Sequence, residues 1–237
     1  KQTPGGLGLP EKWVFDGYIT IFTKLNIGQY FLNSLIVTVI STVISVFAVS
    51  LAAYVSARIS FQGKSLVTLM FASTLFIPSI SISFPIYRLL SDLGLKDTLT
   101  GVIFVYASLG IAVTFFILRS YFLSIPKEME EAAMMDGCNR FQCFWKVVFP
   151  LMTPINVTQL VLNTLFIWND YSTSIILLRK KYSFTLTLAQ IIYFNENTTM
   201  LNEAFAFFIM AMIPILILYL CMQKYIVSGI TAGAVKG

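Results

Sequence analysis

The chain has 237 residues, of which 57% are hydrophobic, 15% aromatic and only 11% charged, with a mean hydropathy of +0.80; soluble globular domains carry roughly 25% charged residues, so a soluble fold of this length would lack the polar surface to cover itself. The net charge is +5, but the basic groups are scattered over loops with no stripe between aromatics, which argues against a nucleic-acid surface. The chain has no histidine, the commonest general base and zinc ligand, and its three cysteines, Cys138, Cys143 and Cys221, stand in no metal or redox spacing.

Five runs contain no charged residue at all: residues 25–57, 65–87, 98–118, 147–169 and 204–223. A membrane-crossing helix needs about 20 mostly apolar residues, and each run meets that length. The pattern predicts an all-α, polytopic transmembrane helical bundle with five spans.

Residues 1–30 read as an interfacial segment, with Gly5, Gly6, Gly8 and Pro10 followed by Trp13, Phe15, Tyr18 and Phe22. The first span is expected at 31–55. Its row Ser34, Thr38, Ser41 and Ser45, at i, i+4, i+7 and i+11, marks one face where another helix can approach closely. The second span, 65–87, contains Pro78 and Pro85 with Ser79, Ser81 and Ser83 between them. Proline removes a helical hydrogen bond, so a kink facing protein or a cavity is expected there, a candidate gate. The third span covers 99–119 and a connecting loop covers 124–151. The fourth span, 152–169, ends at Trp168-Asn169-Asp170, an aromatic and polar terminus suited to a membrane interface. A second long loop, 170–202, carries Arg179, Lys180 and Lys181, which suit headgroups. The fifth span, 204–223, contains Pro214, and a small-residue tail covers 227–237. Lys and Arg divide eight to eight between the two sides, so the positive-inside rule selects no orientation.

The loop 124–151 is the most patterned segment. Ser124 and Pro126 read as a helix start, and Glu128, Glu130 and Glu131 favour its N-terminal half through the helix dipole. Asp136-Gly137 ends that helix, glycine supplying the left-handed cap. Asn139 and Gln142 then read as a capping box that opens a second helix. In it Phe141, Phe144, Trp145, Val148 and Phe149 fall at i, i+3, i+4, i+7 and i+8, an amphipathic stripe. Two short helices at a sharp corner would offer a knob to a partner.

Glu131-Ala132-Ala133, three residues, Gly137, nine residues, then Val147-Val148-Phe149-Pro150 resembles the EAA loop of ABC importer permease subunits. Asp136-Gly137, Phe144 and Pro150-Leu151-Met152-Thr153-Pro154 sharpen the resemblance toward carbohydrate-uptake permeases. Tyr30-Phe31-Leu32-Asn33-Ser34 and the glycine-rich end Gly229–Gly237 are similar to the family's termini, so the likeness covers nearly the whole chain.

The resemblance implies a bacterial cytoplasmic membrane, a cytoplasmic loop and C-terminus, an extracellular start for residues 1–30, and a sixth span ahead of Lys1. It implies partners as well: a second permease forming a heterodimer, two ATPase subunits that hold ATP and Mg, an extracellular or periplasmic solute-binding protein, membrane lipid and a small carbohydrate. No catalytic residue, cofactor or metal is expected on this chain. The ATPase-coupling residues would be Glu131, Ala132, Ala133, Asp136, Gly137, Arg140, Phe141, Phe144 and Trp145, with Glu131 meeting a basic group of the ATPase. A solute path would use Asn156, Gln159 and Asn163, at i, i+3 and i+7, with Phe166, Asn169 and Asp170, because planar amides and carboxylates bind hydroxyls and aromatic faces lie under sugar rings; interhelical hydrogen bonding is the competing reading of the same stripe. An intramembrane enzyme is disfavoured by the absence of histidine and of acidic groups within the runs. A secondary transporter or channel is disfavoured because ion-coupled carriers bury ionisable groups in their spans.

Overall fold

The computed structural model describes residues 15–24, 26–195, 198–199 and 201–234. The glycines and tryptophan of the first segment, Gly5 to Trp13, lie outside the described residues. The chain runs through α1 (Asp16–Lys24), α2 (Ile27–Arg58), α3 (Lys64–Thr74), α4 (Ser83–Asp92), α5 (Leu99–Leu109) and α6 (Ile111–Ser124). After these come α7 (Glu128–Met135), α8 (Arg140–Cys143), α9 (Phe149–Leu151), α10 (Thr153–Asn169), α11 (Ser172–Leu177), α12 (Leu186–Ala189) and α13 (Leu201–Ala234). A two-residue antiparallel pair, β1 (Phe194–Asn195) with β2 (Thr198–Thr199), closes the loop before α13.

Among the described residues, two helices are long and apolar enough to cross a membrane unbroken, Ile27–Arg58 and Asn202–Gln223; up to five spans result if each of three bent pairs counts as one. The pair α3 and Ser79–Asp92 bends by 99°, and α5 with α6 by 46°. Pro78 stands at the first of these breaks, in extended conformation (ψ 131°), and caps a single 3-10 turn over Ser79–Ile82. Pro85 does not break anything: it lies in the first turn of α4, where its missing N–H has no intrahelical partner to lose. Gly110 marks the second break, and a Cβ there would stand 2.9 Å from Asn163 Oδ1, so the bend also makes room for an amide of α10. Helix α13 continues past Pro214 through Val227 to Ala234, so the small-residue tail is helical as far as it is described.

Helix α2 is the axis of the fold. It packs against α5, α6 and α10, and its row Ser34, Thr38, Ser41 and Ser45 is wholly buried. Ser41 Oγ donates to Ile103 O at 3.1 Å on α5, the close approach that only a small side chain permits. Two apolar clusters sit at its two ends. One joins Val37, Trp168, Leu178, Leu186 and Phe207; the other joins Tyr54, Phe115, Leu118, Phe122, Phe144 and Val148. At the first end Asn33 Nδ2 donates to Tyr182 O (2.8 Å) and Phe184 O (2.9 Å), and Ser34 Oγ accepts from Leu186 N at 2.7 Å. Helix α1 lies on α13, where Gly17 comes so close that a Cβ would be 2.8 Å from Asn202 O.

Candidate functional site

The loop between α6 and α10 is built as a corner. Ser124 ends α6, with its Oγ donating to Tyr121 O, and α7 starts later than the sequence suggests, at Glu128, because Ile125 is extended and Pro126 follows it. Gly137 adopts φ 89°, the left-handed region that a residue with Cβ enters only at a cost. The capping box forms in full: Gln142 N donates to Asn139 Oδ1 at 2.8 Å and Asn139 N donates to Gln142 Oε1 at 3.0 Å.

One side of this corner is closed and the other open. Glu131, Ala132, Asp136, Gly137 and Arg140 are exposed, with Met135 at 88% and Phe141 at 67%. Glu130, Ala133, Cys143 and Phe144 are buried. Ala133 and Phe144 lie on the closed side; α7 is one helix with two sides, and a three-residue step from Glu130 brings Ala133 inward. The expected aromatic stripe is also reset. Phe144–Val148 is wound as a π-turn, which shifts the 3.6-residue register and leaves Phe141 outside it. Phe144 packs on Tyr54 (5.0 Å between ring centres) and Phe122 (6.4 Å), while Trp145 and Phe149 pack on Phe47 at 5.9 and 5.4 Å.

Sequence reading singled out Glu131 and passed over its neighbour. Glu130 forms the one ion pair found among the described residues, with Arg58 Nε 2.5 Å from Glu130 Oε1, both side chains under a tenth exposed. Tyr54 Oη donates to Glu130 Oε2 at 3.0 Å, and Arg58 Nη2 donates to Ile125 O at 2.6 Å. Tyr54 and Arg58 are four residues apart on one face of α2, so the signal was a basic and a phenolic group at i, i+4, ending a charge-free run. Burial pushes the Cys143 thiol up, with Glu130 and Cys138 adding to it.

The polar stripe of α10 does not present one open face. Asn156, Gln159 and Asn163 are buried inside this subunit, against α2 and α6, and Asn163 Nδ2 lies 3.4 Å from Thr114 Oγ1. Phe166 is half exposed and Asn169 exposed. At 100° per residue Asn169 lies roughly 140° round the helix from Asn156, which is why the stripe divides. Asp170 is committed elsewhere: it accepts from Ser172 N and Thr173 N at 3.1 Å each, and from Tyr106 Oη at 2.8 Å. The breaks at Pro78 and Gly110 open on a shared apolar cleft of about 550 Å³, lined by Met70, Phe71, Leu75, Ser79, Leu109 and Val113 among others.

A helical membrane bundle with a two-helix corner outside it is the architecture of a transport subunit. Residues 45–232 match the family described as binding-protein-dependent transport system inner membrane component, and the chain belongs to that family. The chain is 35% identical to the melibiose/raffinose/stachyose import permease protein MelC of Bacillus subtilis, covering 96% of this chain and 85% of that protein. It is 33% identical to the probable starch degradation products transport system permease protein AmyC of Thermoanaerobacterium thermosulfurigenes, covering 97% and 84%. Among solved structures, a bacterial ABC transporter involved in import of the acidic polysaccharide alginate aligns with a TM-score of 0.79 and 27% identity, over 92% of this chain and 81% of that one. The protein is thus a membrane-embedded permease subunit of an ABC importer, a transport component that works with other subunits.

Proposed function

We propose that this permease carries a sugar or oligosaccharide, paired with a second permease, and is driven through the α7–α8 corner by a pair of separate ATPase subunits that hold ATP and Mg. The observation that carries the reading is the two-sidedness of that corner. Glu131, Ala132, Met135, Asp136 and Arg140 form a free acidic, basic and methionine surface, while the opposite side is fixed to the bundle. A carboxylate beside an alanine on an exposed helix packs nothing within the subunit, and its natural complement is a basic group in a cleft of another chain. Coupling to ATP requires this corner and the C-terminus to face the cytoplasm. The loop 170–202 then faces the extracellular binding protein, and the chain itself needs no catalytic residue or cofactor. The carbohydrate assignment is supported by the substrates named for MelC and AmyC. The cleft between the Pro78 and Gly110 breaks, together with Phe166 and Asn169, is the part of this subunit offered to a solute path; of the buried amides, Asn163 donates to Thr114 on α6, while both side-chain polar atoms of Asn156 and Gln159 Nε2 have no hydrogen-bond partner among the described residues.

Proteoliposomes holding the two permeases and the ATPase pair, supplied with the binding protein, test the reading. Uptake of radiolabelled melibiose, raffinose or maltotriose should require internal ATP, and Glu131→Ala should cut it severalfold while the ATPase still co-purifies. Uptake without ATP, or full uptake by Glu131→Ala, would overturn it.

A further inference from the structure

Helix α2 is fastened at both ends to segments that lie on opposite sides of the bundle. At one end Tyr54 and Arg58 hold both carboxylate oxygens of Glu130, and Arg58 also holds Ile125 O, so α7 is tied to α2 by contacts in two directions. At the other end Asn33 spans two carbonyls, Tyr182 O and Phe184 O, and Ser34 takes Leu186 N. Between them α2 is a single helix of 32 residues with no proline, about 48 Å long at 1.5 Å per residue. The other routes that reach the corner are interrupted: α3–α4 at Pro78, α5–α6 at Gly110, and α10 meets the corner through a 74° bend, while α13, also unbroken, packs mainly on α1 and α10.

We propose that α2 is a rigid rod that transmits between the ATPase-facing corner and the segment 182–186, with Glu130, Arg58 and Tyr54 as its clamp at one end and Asn33 and Ser34 as its clamp at the other. This rests on the reading of the corner as the ATPase contact and adds a positioning role for residues that touch neither ATP nor solute. Glu130 and Glu131 divide the labour by helical geometry: adjacent residues point roughly 100° apart, so Glu131 reaches outward while Glu130 hands the movement to α2. A buried pair suits this task because it is short, directional and excluded from water, so the joint has little freedom to slip. Asn33 does the same by a side-chain amide bridging two backbone carbonyls, a fixed link rather than a greasy contact.

The rod is tested in the full complex by ATP hydrolysis, measured without and with saturating binding protein carrying whichever of the three labelled sugars the wild type imports. Glu130→Gln and Asn33→Leu should each leave assembly and basal hydrolysis unchanged and lower the binding-protein stimulation about fivefold or more, the scale of a typical coupling between sites. The double variant should be no worse than the weaker single, because two breaks in one rod lie in series. Retained stimulation in either single variant, or losses that multiply in the double, would overturn the rod. Should Glu130→Gln fail to assemble, Arg58→Cys with Glu130→Cys in a Cys138→Ala background removes both charges at once, so that no buried charge is left unpaired. Bridging those two thiols with a bis-methanethiosulfonate should then restore the stimulation lost in the unbridged protein; no recovery would overturn the rod. A wild-type complex without stimulation would overturn the functional reading instead, so the two failures are distinguishable.

Discussion

Helices α2 and α3 are both apolar and are separated by a five-residue link, yet they end in opposite surroundings. In α2 the buried residues include Asn33, Ser34, Thr38, Ser41, Thr42, Ser45 and Ser50, while Leu32, Leu35, Val39, Val43 and Phe47 face outward. In α3 nothing is buried, and in α4 only Leu90 is; Leu66, Leu69, Met70, Phe76 and Phe84 all lie open. In water the large apolar side chains would be driven inside. In hydrocarbon that drive is absent, and what joins helices is close packing and hydrogen bonding by small residues. The comparison teaches that the buried face of α2 is marked by serine, threonine and asparagine, while large apolar side chains line its outer face and the open limb α3–α4.

Predictions that break or sharpen this contrast run from large to small. Phe122 is fully buried among Tyr54 and Phe144, so Phe122→Ala should cost on the order of 3 kcal/mol. Phe76→Ala, at a site 84% exposed, should lie within about 0.5 kcal/mol of wild type. Thermal unfolding of the detergent-solubilised subunit would check the pair, and equal losses would erase the distinction. Ser41→Leu makes α2 more hydrophobic but forces a branched side chain against Ile103 O, and overpacking of this kind costs about 1–3 kcal/mol. The reverse change at an open site, Leu69→Ser, should be nearly silent in the same assay.

In the limb α3–α4, α3 meets the bundle at Phe71, whose ring stacks on Phe115 with centres 4.0 Å apart and planes at 4°, while α4 joins it through Ile86, Tyr87 and Leu90. Phe71→Ala should release about 1 kcal/mol of contact and speed proteolysis within 61–80 while leaving protection of α2 and α6 unchanged. The smallest effect concerns two thiols of the corner. Cys143 is 1% exposed and its thiol is raised by burial, so its reactive thiolate forms only at higher pH. Half-exposed Cys138 should therefore be alkylated by a maleimide well before Cys143 near neutral pH, as mass spectrometry of the modified peptides would report.

Much of this molecule was legible in its residue order, because the forces concerned are local. Runs of about 20 uncharged residues mark helices that need no water, and Gly137 and the Asn139–Gln142 box mark a turn whose hydrogen bonds close within four residues. The small-residue row of α2 needed only helical spacing to be assigned to one buried face. The EAA resemblance brought the family into view from the same short segment.

What tertiary structure decided is which side of each element meets which neighbour. Glu130 and Glu131 are the same residue type side by side, and only the position of Tyr54 and Arg58, more than 70 residues earlier, makes one an anchor and leaves the other free. The π-turn at Phe144–Val148 moved Phe141 out of its stripe, and the rotation of α10 left Asn156, Gln159 and Asn163 buried within the subunit while Asn169 stayed exposed. Chain order fixes the period of a helix but not its rotation about its own axis. That rotation is set by contacts between distant segments, and it determines here which carboxylate faces a partner and which one holds the helix in place.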